Sequence, residues 1–298
     1  MASPIISLCL PTNGIIEWVL PVLDSIYSQD VDIKLFEVIV TDNGSNRKFH
    51  DFMKKYVGKY KNFIYKKTNA YMFENQLEAL KLANGMYFKF VNHRSIFTKG
   101  SLNHLISVIS NYKKEKPVIY FSCGALKKDI YELNTFDSFV GTLCRYASWT
   151  TGVGIWKEDY KRIPEQVTID KISPHSCILF AERDKKKYII DNFVFSNDIE
   201  HDHTKKGKYD LFKAFAIEEL TITLKLFIDG DISIETLKTV KKDYKKFLCE
   251  LYFDFCIRKL PCSYDLSGFN KAMGIFYSKS EIILGAYLFG IKKILKKL

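Results

Sequence analysis

Proline and glycine are scarce in this 298-residue chain, at 7 and 15 residues, so neither a collagen-like repeat nor a Pro/Gly-rich linker can make up much of it. With 47% hydrophobic and 15% aromatic residues, disorder is excluded as the dominant state, and the length suits one or two domains with a large core. No apolar run reaches the ~20 residues a membrane-spanning helix needs. The longest late run, Ile282 to Ile291, is about half of that. The first 23 residues are apolar, yet no Lys or Arg precedes them, and Asn13, Gly14 and Glu17 interrupt them, so they do not read as an export signal. The 7 cysteines (Cys9, Cys123, Cys144, Cys177, Cys249, Cys256 and Cys262) are odd in number, scattered and mostly flanked by apolar residues. That pattern reads as buried free thiols in a reducing compartment, and a cytoplasmic location is expected. Cys256 and Cys262 are the only close pair late in the chain, and no His or second Cys pair completes a zinc site beside them.

Positive charge is abundant: 45 Lys and Arg against 34 Asp and Glu, a formal net charge of +11. An anionic partner is expected, and a nucleotide, a phospholipid surface and a nucleic acid all qualify. Nucleic acid is set aside, because the basic residues gather on the C-terminal helical patterns instead of alternating with aromatic stacking platforms, and no recognised motif is present. The chain closes on Lys292-Lys293-Ile294-Leu295-Lys296-Lys297-Leu298, directly after the apolar run. Such a helix can lie on an anionic membrane surface without crossing it. The same pattern suits a final helix docked on the core with a solvated Lys face.

Pro4 to Leu10 reads as a buried strand ending in the turn Pro11-Thr12-Asn13-Gly14. From Glu17 to Tyr27, Trp18, Val19, Val22, Leu23 and Ile26 recur at helical spacing, and Phe36 to Thr41 is a second buried strand ending in Asp42-Asn43-Gly44-Ser45. Strand, helix and strand with short turns imply a right-handed crossover and a parallel sheet. The alternation continues through helix 49–60, strand 63–66, helix 74–83 and strand 86–91, which delivers Asn92-His93-Arg94-Ser95 at its carboxyl end; helix 102–112 and strand 118–122 follow. The pattern loosens between Leu126 and Arg162, then suggests a helix over 170–181 and a strand over 188–195. Beyond Tyr209, three long helical patterns follow, over 211–228, 234–257 and 268–298. The expected architecture is an α/β body, residues 1–205, with a mostly parallel sheet flanked by helices, and an α-helical C-terminal region, residues 206–298.

If the first, second and fourth strands are parallel neighbours, their three turns converge on one crevice, where open α/β sheets bind ligands. Asp42 there can accept a hydrogen bond from a base N–H or a ribose hydroxyl, or can simply cap the next turn.

The ordered set Ser7-Leu8-Cys9-Leu10-Pro11-Thr12-Asn13, Ser25-Ile26-Tyr27-Ser28-Gln29, Phe36 to Ser45, and Asn75 with Ala79, Ala83, Asn84 and Gly85 before the strand Tyr87 to Val91 resembles the nucleotide-sugar half of family-two glycosyltransferases of the GT-A (Rossmann-like) fold, of the type that builds bacterial surface polysaccharides. The resemblance implies a transferase that moves a sugar from a nucleotide sugar, UDP-linked, to a glycan or lipid-linked hydroxyl. It implies a nucleotide site of Pro11, Thr12, Asn13, Asp42, Asn43, Asn69 and Asn75.

Where the family carries an Asp-x-Asp motif for a divalent cation, this chain has Asn92-His93-Arg94. Arg94 can bring positive charge to the diphosphate as a planar donor fork. Alternatively His93, with His201 or His203, can hold Mn²⁺, so a requirement for Mg²⁺ or Mn²⁺ stays open. His201, His203 and Lys205 fall where related enzymes close a segment over the diphosphate, although a solvated loop has the same composition. The stretch Thr151 to Trp156 resembles the acceptor loop, with Trp149, Thr151 and Trp156 as acceptor contacts or ordinary packing. That makes Asp170 the match for the inverting general base, or a helix cap, with His175 as the backup. A catalytically inactive scaffold in a polysaccharide-assembly complex and a sugar nucleotidyltransferase are the competing readings.

Overall fold

The computed structural model describes residues 3–163, 169–199 and 203–295. The chain divides into two compact units, residues 1–135 with 149–199, and residues 136–148 with 200–298. The boundary expected at 205 therefore falls close to 199, but residues 136–148 pack with the C-terminal unit, not with the α/β body. Their loose hydrophobic pattern carries no sign of which core they join.

In the first unit, strands β1 (Ile6–Thr12), β2 (Phe36–Asp42), β3 (Phe63–Lys67) and β4 (Tyr87–Phe90) are parallel and ordered β3-β2-β1-β4, with the antiparallel β8 (Gly154–Trp156) at the β4 edge. The first, second and fourth strands are thus the adjacent ones the turns require. β1 and β2 are buried along almost their whole length, as strands covered on both faces must be. Pro11 falls past Cys9, the last β1 residue paired with β4, so its missing N–H removes no bond from that ladder. Helices α1 (Ile16–Tyr27), α2 (Arg47–Lys59), α3 (Asn75–Leu82) and α4 (Ser101–Tyr112) connect and cover the sheet. Val19, Val22, Leu23 and Ile26 of α1 and Leu102, Leu105 and Ile109 of α4 join Leu8, Val38 and Val40 in one core.

At the opposite, N-terminal end of the strands, the buried Glu37 carboxylate accepts bonds from Ser7 Oγ (2.5 Å) and from the N–H groups of Asn84 (2.6 Å) and Gly85 (3.1 Å). A Cβ on Gly85 would stand 2.6 Å from Ser7 Oγ, which explains the glycine before β4. β5 (Ser95–Phe97) pairs antiparallel with β10 (Ser196–Asp198), while β6 (Val118–Phe121), β9 (Tyr188–Asp191) and β7 (Ile130–Leu133) form a third sheet. The helix expected over 170–181 begins only at Pro174, running to Ala181 as α7 after α5 (Phe136–Leu143) and the short α6 (Lys157–Tyr160), because proline at its first turn sets the start.

In the second unit the long patterns are helical but interrupted. The first comprises α8 (Leu211–Lys213), a wide turn over Ala214–Glu218 and α9 (Glu219–Ile228); the second is α10 (Ile234–Tyr252), continued by a wide turn over Phe253–Ile257. The expected 268–298 helix is broken into α11 (Phe269–Ala272) and α12 (Lys279–Leu295), with Gly274 at φ +107° between them. α5 and the turn after it are tied to α10 by Asp137, which accepts bonds from Ser233 N and Oγ at the entry to α10, and by Arg145–Asp243 (3.2 Å).

Candidate active site

The turns after β1, β2 and β4 are hydrogen-bonded to one another at the carboxyl edge of the sheet. Thr12 stands in register with Asp42, and its carbonyl accepts the N–H of Asn43 at 3.1 Å. On the other side the Thr12 hydroxyl shares a 2.9 Å hydrogen bond with His93 Nδ1, and it accepts the Gly14 N–H at 3.1 Å. Two glycines make this closeness achievable: Gly14 sits at φ +78°, and a Cβ on Gly44 would lie 1.9 Å from the Asn13 carbonyl oxygen.

Asp42 is fully buried. Its Oδ1 accepts the Gly44 N–H at 2.7 Å and its Oδ2 accepts the Tyr65 hydroxyl at 3.1 Å. Burial pushes its carboxyl above the usual carboxylate range, opposed by these two donors and by the nearby Lys67 and His50. Asn43 donates to the carbonyls of Ala70 and Met72, both at 3.0 Å, and so anchors the loop that carries Asn69. Asn75, expected against the nucleotide, is instead a buried strut. Its Nδ2 donates to Thr12 O (3.2 Å) and Thr41 O (2.8 Å), and its Oδ1 accepts Thr68 Oγ1 (2.8 Å). Asn13 and Asn69 are exposed at this edge, and Pro11 is half-buried.

Asn92 Oδ1 accepts the Arg94 backbone N–H at 3.1 Å, closing a short turn, and lies 3.4 Å from Arg94 Nε. The Arg94 guanidinium sits 5.5 Å over the Trp18 ring, which also meets the His93 ring edge-on at 5.0 Å. Arg94 Nη1 is buried and has no hydrogen-bond partner among the described residues. A buried donor left unbonded costs about 1–3 kcal/mol, which an anion would relieve. An amide, an imidazole and a guanidinium do not fit a hard divalent cation, which prefers carboxylate oxygens. Among the described residues no three His, Cys, Asp or Glu side chains converge on a point that a metal ion could fill.

The acceptor-side expectations fare differently. Trp156 is a core residue: 1% exposed, it packs edge-on against Tyr87 and donates from Nε1 to the Pro117 carbonyl at 2.7 Å, so it has no face to offer a sugar. Thr151 is likewise buried, its hydroxyl unpaired among the described residues, while its carbonyl accepts the Lys89 ammonium. Trp149 is half-buried beside it. Asp170 is half-buried and directs Oδ1 to the N–H groups of Ile172 (2.7 Å) and Ser173 (2.9 Å), so the capping geometry is real. Among the described residues its Oδ2 has no hydrogen-bond partner. The neighbouring Lys171 pairs with Glu74 at 3.8 Å, immediately before the Asn75 strut, which brings the Asp170 turn to the edge of the donor turns. His175 is buried in the first turn of α7, closed to an acceptor arriving from solution.

β10 runs back along β5, and the Ile199 N–H donates to the Arg94 carbonyl at 2.9 Å. His201 and the His203 side chain lie outside the described residues. Lys205 is exposed in a short turn, His203–Lys205, of the second unit.

Three contributors escaped the sequence reading. Trp18 stood in the α1 apolar stripe and is indeed buried, yet it is also the platform beneath Arg94. Tyr65 lay in a strand with no sign that its hydroxyl would meet Asp42. Lys89 broke an apolar strand, the one visible signal. It is fully buried, bonded to Phe90 O (3.0 Å) and Thr151 O and set over the Phe121 and Phe195 rings at 5.2 and 5.0 Å; burial lowers it to about 7.

This mostly parallel sheet, with its crevice at the carboxyl edge and an antiparallel strand beyond β4, has the GT-A fold. Residues 7–151 match the family model of glycosyl transferase family 2. Among solved structures the chain is similar to S. aureus TarS 1–349 in complex with UDP-GlcNAc, at 16% identity and a TM-score of 0.61 over 91% of this chain and 80% of that one. It is also similar to the mannosyltransferase PcManGT from Pyrobaculum calidifontis in complex with GDP-Man and Mn²⁺, at 15% identity and a TM-score of 0.50 over 77% of this chain and 64% of that one. Another structure of TarS 1–349 is matched over 59% of its length, and the longer TarS chain over 48%. The chain thus spans about half the length of the longer TarS. No curated protein sequence matches the chain significantly.

Proposed function

We propose that the protein is a glycosyltransferase that moves a sugar from a UDP-linked donor to a hydroxyl of a glycan or lipid-linked acceptor, with inversion at the anomeric carbon. The observation that carries this reading is the mutually bonded edge formed by Thr12, Asp42 and His93, at which Arg94 keeps a buried guanidinium nitrogen unbonded by any described residue. The match of residues 7–151 to the glycosyl transferase family 2 model supports the reaction class, and likeness to TarS, solved with UDP-GlcNAc, supports a uridine donor.

The nucleoside lies along Thr12, Asn13 and Asn69 above Asp42, held in place by Asn43 and Asn75. The diphosphate meets Asn92, His93 and Arg94. Trp149 borders the acceptor. The acceptor oxygen attacks the anomeric carbon from the face opposite the diphosphate. As that C–O bond forms, the bond from the carbon to the β-phosphate oxygen breaks and its electron pair leaves with the nucleoside diphosphate. Asp170 takes the acceptor's proton on Oδ2, oriented by the two backbone donors on Oδ1. Arg94 meets the charge that develops on the leaving diphosphate. All seven cysteines are free thiols, which supports a reducing, cytoplasmic setting.

Isothermal titration with UDP, UDP-GlcNAc, GDP-mannose and UTP, with and without Mn²⁺, tests the reading. A UDP or UDP-sugar preference that survives without Mn²⁺ is expected, and Arg94→Ala should weaken it by roughly tenfold or more, as loss of a charge-assisted bond to phosphate does. A preference for UTP would favour a nucleotidyltransferase. An absence of binding to any of the four would leave an inactive scaffold.

A further inference from the structure

The last helix, α12, has two apolar faces, and the described residues cover only one. Ile282, Ala286 and Gly290 are buried, and α12 lies tightly on α10 and the turn after it, because a Cβ on Gly285 would come within 2.4 Å of Cys249 Sγ and one on Gly290 within 2.3 Å of the Phe253 ring. Lys245–Glu281 at 2.8 Å and the Phe253–Phe289 ring pair at 5.6 Å complete the seam.

On the opposite side Leu284, Tyr287, Leu288, Ile291, Ile294 and Leu295 are all at least half exposed, Leu295 at 65%. At about 100° per residue these six fall within one stripe roughly 120° wide, as broad as the face a helix usually buries in a core. Large apolar side chains scattered singly over a surface need no explanation, but six on one helix face form a patch. Past Glu281, which is tied to Lys245, the charge along this stretch of sequence has one sign. From Ile282 to Leu298 the sequence has no Asp or Glu, and Lys292, Lys293, Lys296 and Lys297 follow one another through its end. Lys292 is exposed next to the stripe, and Lys293 lies over the Phe253 and Phe289 rings and 3.6 Å from Asp254.

We infer that α12 seats the protein on an anionic phospholipid surface, with the six-residue stripe entering the interface and Lys292, exposed at its edge, meeting the headgroups. A second copy of the chain would set Lys292 against its own kind, whereas an anionic bilayer complements it. Tyr287 suits the interface, with an apolar ring and a polar tip. No helix among the described residues is long and apolar enough to cross a membrane, so the contact lies in the surface plane. The inference does not depend on the catalytic reading.

Sedimentation with vesicles of phosphatidylglycerol and phosphatidylcholine, and with vesicles of phosphatidylcholine alone, tests it. The protein is expected to partition to the anionic vesicles and to release as salt is raised. The triple variant Leu288→Ser, Ile291→Ser, Leu295→Ser should lose partitioning by roughly tenfold or more, since three buried apolar side chains are removed from the interface. Its thermal midpoint should stay near that of the parent, because these side chains are at least half exposed. Lys292→Glu should weaken binding to anionic vesicles while leaving phosphatidylcholine unaffected. The inference is overturned if the parent stays in the supernatant with anionic vesicles, if the triple variant partitions as well as the parent, or if the stripe instead drives a dimer that the triple variant abolishes. Nucleotide titration of the same samples reads the catalytic proposal separately.

Discussion

Along the edge where the three turns meet, nearly every polar side chain is engaged within the protein: Asp42 by the Gly44 N–H and the Tyr65 hydroxyl, Asn43 by the carbonyls of Ala70 and Met72, Asn75 by the carbonyls of Thr12 and Thr41 and the Thr68 hydroxyl. The side of the sheet at β4 and β8 holds its buried charges with less compensation. Lys89 reaches carbonyls and ring faces, and Glu182 lies buried beside the Asp159 carboxylate with Lys185 and Arg162 nearby, which pushes it up to about 8. The three-turn edge is thus a hydrogen-bonded frame in which few polar groups stay open, while the β4–β8 side carries ionisable groups at an electrostatic cost to stability.

The largest expected effect separates chemistry from framework. Asp170→Asn should lower turnover by ~10²–10⁴-fold, as loss of a general base does, while nucleotide affinity stays within a factor of about two. Full activity in that variant would remove Asp170 as the base and leave it a helix cap.

Next comes the frame itself. Asn75→Ala strands two carbonyls and a hydroxyl in the core, and should cost about 2–4 kcal/mol in urea unfolding, weakening UDP binding only indirectly. An unchanged midpoint would show that the strut is dispensable.

The two buried charges should respond to pH in opposite ways. Glu182, raised in the folded state, contributes stability below the unfolded carboxylate range that is lost as pH rises from there through about 8. Glu182→Gln should therefore gain on the parent by about 1–3 kcal/mol at alkaline pH and by little in acid. Lys89, lowered to about 7, binds its proton less readily folded than unfolded, so the parent gains stability as pH rises from about 7 toward the ordinary lysine range. Lys89→Met removes that rise, and its advantage should be greatest below neutrality. Parallel melts across pH read both signs, and like slopes for the two variants would dissolve the contrast.

The smallest effect belongs to the free side chains of the donor edge. Asn69→Ala should stay within about 0.5 kcal/mol of the parent in stability and still weaken UDP binding a few-fold. Equal affinity would move the nucleotide off that loop.

How much of this was readable in advance varied with distance along the chain. β1, α1, β2 and β4 were legible because buried parallel strands and amphipathic helices write their periods locally, and the turns named themselves through Pro11-Thr12-Asn13-Gly14 and Asp42-Asn43-Gly44-Ser45. The roles inside the site were less legible. Asn75 and Trp156 looked like ligand contacts because an amide and an indole suit that chemistry, but their partners, Thr12, Thr41 and Pro117, lie 34 to 63 residues away. Residues 136–148 lay within the body by sequence order and joined the other core in space.

The chain's order of strand, helix and turn by itself determined the parallel sheet and the meeting of its three turns at one edge, because hydrophobic period and turn chemistry act over a few neighbours. Which polar groups remain open to a ligand, and which face of the last helix stays bare, was decided only in three dimensions. A hydrogen bond or a packed face is used up by whatever the fold brings against it, from any distance along the chain.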